Sequence, residues 1–183
     1  EYKIVHVHQD CLSSVALQCA MECGVPVRIA HSHTSSAVRN MKYPIKKYYM
    51  KKIPVYATEL FACGKLAGIW MFQGKNFKVI PNGIFVQDYM YSEKIREKVR
   101  KELGVENNVV IGHVGNFTRA KNHEFLLKVF PEILKKEPSA RLILVGSGGE
   151  QEKIQKLTVK LKIWKSVIFM GTRSDVNELM QAM

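Results

Sequence analysis

Short apolar stretches alternate with amphipathic stretches along the whole chain. The apolar stretches predict strands at 2–7, 25–30, 55–57, 78–80, 109–114, 141–145 and 167–170. The amphipathic stretches predict helices at 11–23, 37–52 with an interruption near Pro44, 60–72, 92–103, 123–136 with a kink at Pro131, 150–161 and 175–183. Buried strands that are separated by helices are typical of parallel sheets. The pattern therefore predicts an α/β fold in which helices cover parallel sheets.

A strong break in the pattern divides the chain into two parts. Pro81, Asn82 and Gly83 form a turn-prone tripeptide, and the alternation restarts after it. We therefore predict a domain boundary between 81 and 82, with three or four strands on each side. Each part has fewer strands than we expect of a complete domain of this kind. The chain also starts without Met and ends in a predicted helix, so we expect it to be a piece of a longer protein.

Three loops in the second part each leave a predicted strand and begin with glycine. They are residues 115–122, 146–150 and 171–175. Open parallel sheets bind ligands outside the carboxyl ends of their strands, and glycine lets the backbone approach a ligand closely. Together the three loops predict one continuous binding site.

The first of these loops carries Arg119 and Lys121 just before a predicted helix. A helix N-terminus favours anions, and two cationic side chains add full charges, so this loop predicts a phosphate site. The alternative for either residue is a solvated loop cation. The second loop contains Gly146 and Gly148 in a G-S-G-G turn that lacks the spacing of the known phosphate-binding motifs. That turn either cradles a nucleotide or serves only packing.

Charge indicates the same class of ligand. The net charge is +12, with +7 in residues 1–81 and +5 in residues 82–183. Residues 42–52 mix lysines with tyrosines, which is typical of contact with an anionic membrane surface and also of a solvated helix face. Nucleic acid is a weaker reading of this segment. The chain has neither an apolar run of membrane-spanning length nor a signal-peptide pattern.

Histidines mark the end of a strand in the first part. His31 and His33 form an H-x-H sequence, and His6 and His8 alternate along the first strand. We expect no metal site there, since neither a cysteine nor a carboxylate lies nearby at ligand spacing. The H-x-H sequence then indicates an acid or base group or a surface turn. The four cysteines lack the C-x-x-C spacing and are expected to be reduced thiols.

Six segments together resemble glycosyltransferase family 4, also called group 1, which has the GT-B architecture of two Rossmann-like domains. The segments occur in the family's order and cover nearly the whole chain. They are VHVHQDCLSSVALQCAMECGVPVRIAHSHTS, YATELFACGKLAGIWMF, VIPNGI, IGHVGNFTRAKNHEFLL, LILVGSGGEQEKIQKL and VIFMGTRSDVNELM. The style of HSHTS and FTRAKNHE resembles enzymes of bacterial capsule or exopolysaccharide synthesis. Residues 1–81 would then be the end of the acceptor-side domain, and residues 82–183 the start of the nucleotide-sugar donor-binding domain.

The resemblance implies transfer of a sugar from a nucleotide-diphosphate donor to a saccharide or lipid-linked acceptor, with retention at the anomeric carbon. It implies a cytoplasmic enzyme, peripheral at the inner face of the membrane, that needs no metal or other cofactor and binds no nucleic acid. Its site residues fall on particular positions of this chain. The catalytic ones are His33, Lys121 and Arg119, and the donor-binding ones are Gly115, Asn116, Gly146, Gly148, Gly171, Thr172 and Arg173.

The chain departs from the family pattern at Asn116, where the family has an arginine that contacts the diphosphate. Arg119 is the candidate substitute. The family's N-terminal glycine-rich loop is absent, and its E-x7-E segment is expected to follow residue 183. We therefore expect the isolated chain to be inactive.

Two other readings stay open. One is a GT-B sugar-nucleotide epimerase, for which Asp10 and Glu22 are the available acid or base groups. The other is a non-catalytic basic module that binds a membrane or a polyanion.

Overall fold

The computed structural model describes residues 2–35 and 41–183. The chain divides into two compact units, Glu1–Ile84 and Phe85–Met183. The start of the predicted helix at 37–52 lies outside the described residues. In the part of the chain that is described, no helix has both the length and the apolar character that a membrane span requires.

The first unit contains a four-stranded parallel sheet with the strand order β1-β2-β3-β4. The strands are β1 (Ile4–Val7), β2 (Val27–Ser32), β3 (Glu59–Ala62) and β4 (Lys78–Val79). The helices are α1 (Ser13–Glu22), α2 (Tyr43–Tyr56) and α3 (Lys65–Phe72), and a 3-10 turn, Asp10–Leu12, leads into α1. Leu17, Ile53 and Phe72 from the three helices are buried in one core with Ala30 and Ala62 from the sheet.

The second unit contains a three-stranded parallel sheet with the strand order β5-β6-β7. The strands are β5 (Val110–Val114), β6 (Arg141–Val145) and β7 (Val167–Gly171). The helices are α4 (Glu93–Leu103), α5 (His123–Lys136), α6 (Gln151–Lys160) and α7 (Val176–Gln181). Three 3-10 turns, Val86–Tyr89, Arg119–Lys121 and Trp164–Ser166, complete the unit.

The central strand β6 explains the layering of the second unit. Side chains of a strand point alternately to the two faces of its sheet. Leu142 and Leu144 join a core with residues of α5 and α6, whereas Ile143 and Val145 join a second core with residues of α4 and α7. Because β6 is covered on both faces, all of its residues after Arg141 are apolar.

The sequence prediction was wrong between residues 53 and 62. A strand was expected at 55–57 and the start of a helix at 60, but α2 continues to Tyr56 and the strand is Glu59–Ala62. Pro54 lies inside α2, and the buried residues Met50 and Ile53 keep the helix packed on the core up to that proline. Tertiary packing therefore outweighs the strand preference of the β-branched and aromatic residues that follow.

Pro44 also has a different place from the one expected. It lies in the first turn of α2 instead of interrupting a helix. Proline is tolerated there because the first amides of a helix have no partner within the helix.

We predict that the α5–α6 core dominates the stability of the second unit. Leu127 is fully buried, so Leu127→Ala should lower the free energy of unfolding by about 2–5 kcal/mol. Val129 lies on the same helix but is 37% exposed, so Val129→Ala should cost less than about 1 kcal/mol. Urea denaturation followed by circular dichroism measures both variants, and equal losses would contradict this assignment of the core.

Candidate functional site

The three glycine loops of the second unit leave the same edge of the sheet. β5, β6 and β7 are parallel neighbours, so residues after their carboxyl ends lie side by side. The loops are joined by main-chain hydrogen bonds. Gly115 N–H donates to the Val145 carbonyl at 2.8 Å, and Gly146 N–H donates to the Gly171 carbonyl at 2.8 Å. The loops therefore form one continuous surface.

The second loop fits against the first only because it contains glycines. A Cβ on Gly146 would lie 2.2 Å from the Gly115 carbonyl oxygen, and one on Gly148 would lie 2.7 Å from the Phe117 carbonyl oxygen. Both glycines also have positive φ angles, +136° and +153°. These conformations and distances exclude any other residue without local rearrangement. The G-S-G-G turn is therefore needed for packing, and this role does not exclude contact with a ligand.

The third loop is held by its own side chains. Thr172 Oγ1 donates a hydrogen bond to Ser147 Oγ at 3.0 Å. Arg173 forms a bidentate pair with Asp175, at 2.8 and 2.6 Å, which raises the pKa of Arg173 and lowers that of Asp175. Because its guanidinium is paired in this way, Arg173 shapes the turn that begins at Gly171, and the turn offers mainly its backbone to a ligand.

Lys121 lies at the mouth of the first glycine turn. The position of a Cβ on Gly115 would be 3.3 and 3.4 Å from Cδ and Cε of Lys121, so the lysine side chain runs along the Gly115 backbone. Lys121 ends the 3-10 turn that precedes α5, and the side chain of Asn122 does not cap that helix. The positive charge of Lys121 and the uncapped amides of α5 therefore lie at the same edge of the sheet, where both favour an anion.

Arg119 is placed in a different environment from Lys121. It lines a pocket of about 410 Å³ together with Asn122, Glu124, Glu150 and Lys153. Lys153 pairs with Glu124 at 2.8 Å, and hydrogen bonds from Lys128 and Lys153 lower the pKa of Glu124 to about 2. Two carboxylates beside Arg119 make that pocket less favourable for a diphosphate than the surface at Lys121.

Asn116, the residue at the family's arginine position, is exposed in the first loop. Its carbonyl accepts a hydrogen bond from the Thr118 amide at 2.8 Å, which tightens the turn after Gly115. Its side chain has neither the length nor the charge of an arginine. The structure thus places one of the two predicted cations, Lys121, along the backbone of Gly115 at the start of the first glycine loop.

His123 is a residue of this site that the sequence analysis did not single out. It begins α5, it is 2% exposed, and its ring stacks on Phe117 at a centroid distance of 4.2 Å. Neither ring nitrogen has a hydrogen-bond partner among the described residues. Burial is the main cause that lowers its pKa, with His113 as the next, which favours the neutral ring. The ring packs against Phe117, which belongs to the first loop. The sequence signal that could have indicated His123 was a polar residue at the start of an apolar helix face.

His33 lies in the first unit, just after β2, and is exposed. Its Nε2 is 2.7 Å from His8 Nδ1, so the two rings share a hydrogen bond. It also lines a shallow pocket of about 330 Å³ at the start of α3, with Cys63, Gly64 and Lys65 among the other lining residues. The strand exit predicted for His33 is therefore a surface that a ligand can reach.

Comparison with known proteins shows what the chain is similar to. Residues 94–183 match the model of the glycosyl transferases group 1 family. The chain is 29% identical over 189 residues to EpsF of Bacillus subtilis, which is named as a glycosyltransferase; the match covers 98% of this chain and 49% of EpsF. Residues 94–183, just under half of the chain, are thus similar to the group 1 glycosyl transferases.

Two further relatives add to this comparison. The D-inositol 3-phosphate glycosyltransferase of Corynebacterium jeikeium is 34% identical over 105 residues, which are 52% of this chain and 25% of that enzyme. The crystal structure of Anabaena Alr3699/HepE in complex with UDP and glucose superposes with a TM-score of 0.85 at 24% identity, covering 99% of this chain and 51% of HepE. The matched part is about half the length of EpsF and of HepE. The fold class expected from the sequence is confirmed, because each unit is part of a Rossmann-like domain of the GT-B type.

We predict that the close approach of the loops can be tested with a matched pair of glycines. Gly146→Ala should lower the free energy of unfolding by at least about 2 kcal/mol, because a methyl group meets the Gly115 carbonyl and a strained φ. Nothing lies within 4 Å of a Cβ on Gly149, and its φ is not positive, so Gly149→Ala should stay within about 0.5 kcal/mol. Urea denaturation gives both values, and a neutral Gly146→Ala would show that the loops are not packed as described.

Proposed function

We propose that this protein transfers a sugar from a nucleotide-diphosphate sugar to a saccharide or lipid-linked acceptor, with retention of the anomeric configuration. The observation that carries the proposal is the placement of Lys121 along Gly115, where three glycine loops and the N-terminus of α5 meet. The similarity of residues 94–183 to the group 1 glycosyl transferases supports the reaction class.

The chemistry requires stabilisation of a departing diphosphate. Cleavage of the bond between the anomeric carbon and the diphosphate oxygen develops negative charge on that oxygen. We propose that the ammonium group of Lys121 and the amides at the start of α5 stabilise this charge, since preorganised positive charge lowers such a barrier. In this proposal the protein's own cations, and no metal ion, supply that charge.

The backbone of the second and third loops would hold the nucleotide. Gly146, Gly148 and Gly171 belong to loops that are hydrogen-bonded to one another and to the loop that carries Lys121. The HepE structures contain UDP or UDP-glucose, which makes UDP the first nucleotide to test here. His33, at its strand exit in the first unit, is proposed to contact the sugar that is transferred.

Helix α2 supports contact with an anionic membrane. Its exposed face carries Ile45, Tyr48 and Val55, which are 59%, 59% and 64% exposed, while Met50 and Ile53 on the opposite face are buried. Lys47 and Lys51 are exposed beside this apolar face. Apolar and aromatic side chains flanked by lysines are typical of a helix that lies in a membrane interface. We therefore propose peripheral attachment at the cytoplasmic face of the membrane, with an acceptor of capsule or exopolysaccharide synthesis.

The epimerase reading receives little support from the placement of its candidate groups. Glu22 is exposed at the end of α1 and accepts a hydrogen bond from Gln18. Asp10 is half-buried in the 3-10 turn that leads into α1, and burial raises its pKa.

We predict that Lys121 binds the diphosphate. Lys121→Ala should weaken UDP binding by about tenfold, because it removes a charge-assisted contact. Lys136 lies at the opposite end of α5, so Lys136→Ala removes the same charge and should leave affinity within about twofold. Isothermal titration with UDP and GDP measures both variants. Equal weakening by the two variants would indicate general electrostatic attraction, and the absence of any nucleotide affinity would remove the proposed reaction.

Membrane contact has a separate test. The double variant Lys47→Glu/Lys51→Glu should reduce binding to vesicles that contain phosphatidylglycerol by about tenfold or more, because each lysine near the surface contributes roughly 1 kcal/mol. Lys94→Glu/Lys101→Glu changes the net charge equally on the exposed surface of α4 and serves as the control. Vesicle sedimentation in which both double variants lose binding equally would show that net charge, and not α2, is responsible.

A further inference from the structure

Four histidines come together at the carboxyl ends of β1 and β2. His6 and His8 belong to or follow β1, and His31 and His33 belong to or follow β2. The two strands are parallel neighbours with Val7 opposite Ala30, and alternate residues of a strand share one face of the sheet. The four rings therefore stack in one group, with centroid distances from 4.2 Å for His6–His8 to 5.2 Å for His6–His31.

The ring nitrogens of this group are close enough to share an ion. One nitrogen from each of His6, His8 and His31 lies within 4.8 Å of the others. Zinc–nitrogen distances of about 2.0–2.1 Å in a tetrahedral site place two ligand nitrogens roughly 3.4 Å apart. His6 Nε2 and His31 Nδ1 are already 3.2 Å apart, so small rotations of the exposed His6 and His8 rings would complete a three-nitrogen site.

The surroundings favour neutral imidazoles over imidazolium ions. His31 is buried, and its Nε2 makes no hydrogen bond of good geometry among the described residues. Burial, followed by the neighbouring histidines, lowers the pKa of His6 and of His31, which favours the neutral imidazole over the imidazolium ion. Neutral imidazole is the form that binds a metal ion.

His33 has a different part in this arrangement. Its Nε2 lies 2.7 Å from His8 Nδ1, and that hydrogen bond leaves Nε2 of His8 free. A second group on the other nitrogen of a metal-binding histidine fixes the ring's tautomer and orientation. His33 is thus a positioning residue for His8, and the fourth position on the ion is left to water or another ligand.

We propose that His6, His8 and His31 form a binding site for one divalent transition-metal ion, of the class that includes zinc. Three imidazoles without a carboxylate or thiolate suit zinc and its first-row neighbours better than magnesium or calcium, which prefer oxygen ligands. This differs from the prediction drawn from the local H-x-H spacing. His6 and His8 on the adjacent strand supply the other ligands, and the spacing within the H-x-H segment does not show them.

The test is a titration of the metal-free purified protein with ZnCl2, followed by calorimetry. One zinc ion per chain should bind with micromolar or tighter affinity. The variant His6→Asn/His8→Asn changes two exposed side chains and should weaken binding by at least about tenfold, with an unchanged circular dichroism spectrum. His31→Gln should give the same loss, and the exposed pair decides the result if the buried substitution unfolds the protein.

Cysteines provide the matched control. Cys19 and Cys23 are exposed thiols four residues apart at the end of α1 and are the alternative zinc ligands in this unit. Cys19→Ser/Cys23→Ser should leave the affinity and the stoichiometry unchanged. The proposal is overturned if no zinc binds at concentrations up to about 100 µM. It is also overturned if the cysteine variant, and not the histidine variant, abolishes binding. Nucleotide binding at Lys121 is measured separately, so failure of either proposal leaves the other intact.

Discussion

Close contact between the backbones of neighbouring loops is the constraint on which the candidate donor site depends. Gly146 and Gly148 approach the carbonyls of Gly115 and Phe117 more closely than any side chain would allow. This contact holds the first loop in the form that lays the Lys121 side chain along Gly115. The cation, the uncapped start of α5 and the glycine turns are therefore one arrangement, because displacing any loop moves the others.

The charged environment of the candidate donor site changes over short distances. Arg119 and Lys121 are two residues apart, but Arg119 lies among Glu124, Glu150 and Lys153, whereas the Lys121 side chain lies along Gly115. Two cations that are close in sequence therefore do not have to face the same ligand. The position of Asn116 where the family has an arginine makes Lys121 the main cation of the proposed diphosphate site.

Much of the fold could be predicted from hydrophobic periodicity. The expected ranges 123–136 and 141–145 are those of α5 and β6, since a strongly amphipathic helix and an uninterrupted apolar strand are the clearest patterns. The prediction for the segment from Ile53 to Ala62 was wrong because Pro54 and the residues after it favour an extended chain locally. Long-range packing of α2 and pairing of β3 with β2 decide the structure there.

The candidate sites show the same limit. Glycines and cations at strand exits indicated the donor loops, because parallel strands bring their carboxyl ends together whatever the details. The environment of Arg119, the stacking of His123 on Phe117 and the histidine group across β1 and β2 depend on contacts between separate segments.

The most direct test of the central claim is a map of UDP contacts by nuclear magnetic resonance of the 15N-labelled protein. The account predicts that the largest amide shifts fall in residues 115–123, 146–149 and 171–173 together. Shifts confined to the first unit, or spread over the exposed lysines without these loops, would contradict it.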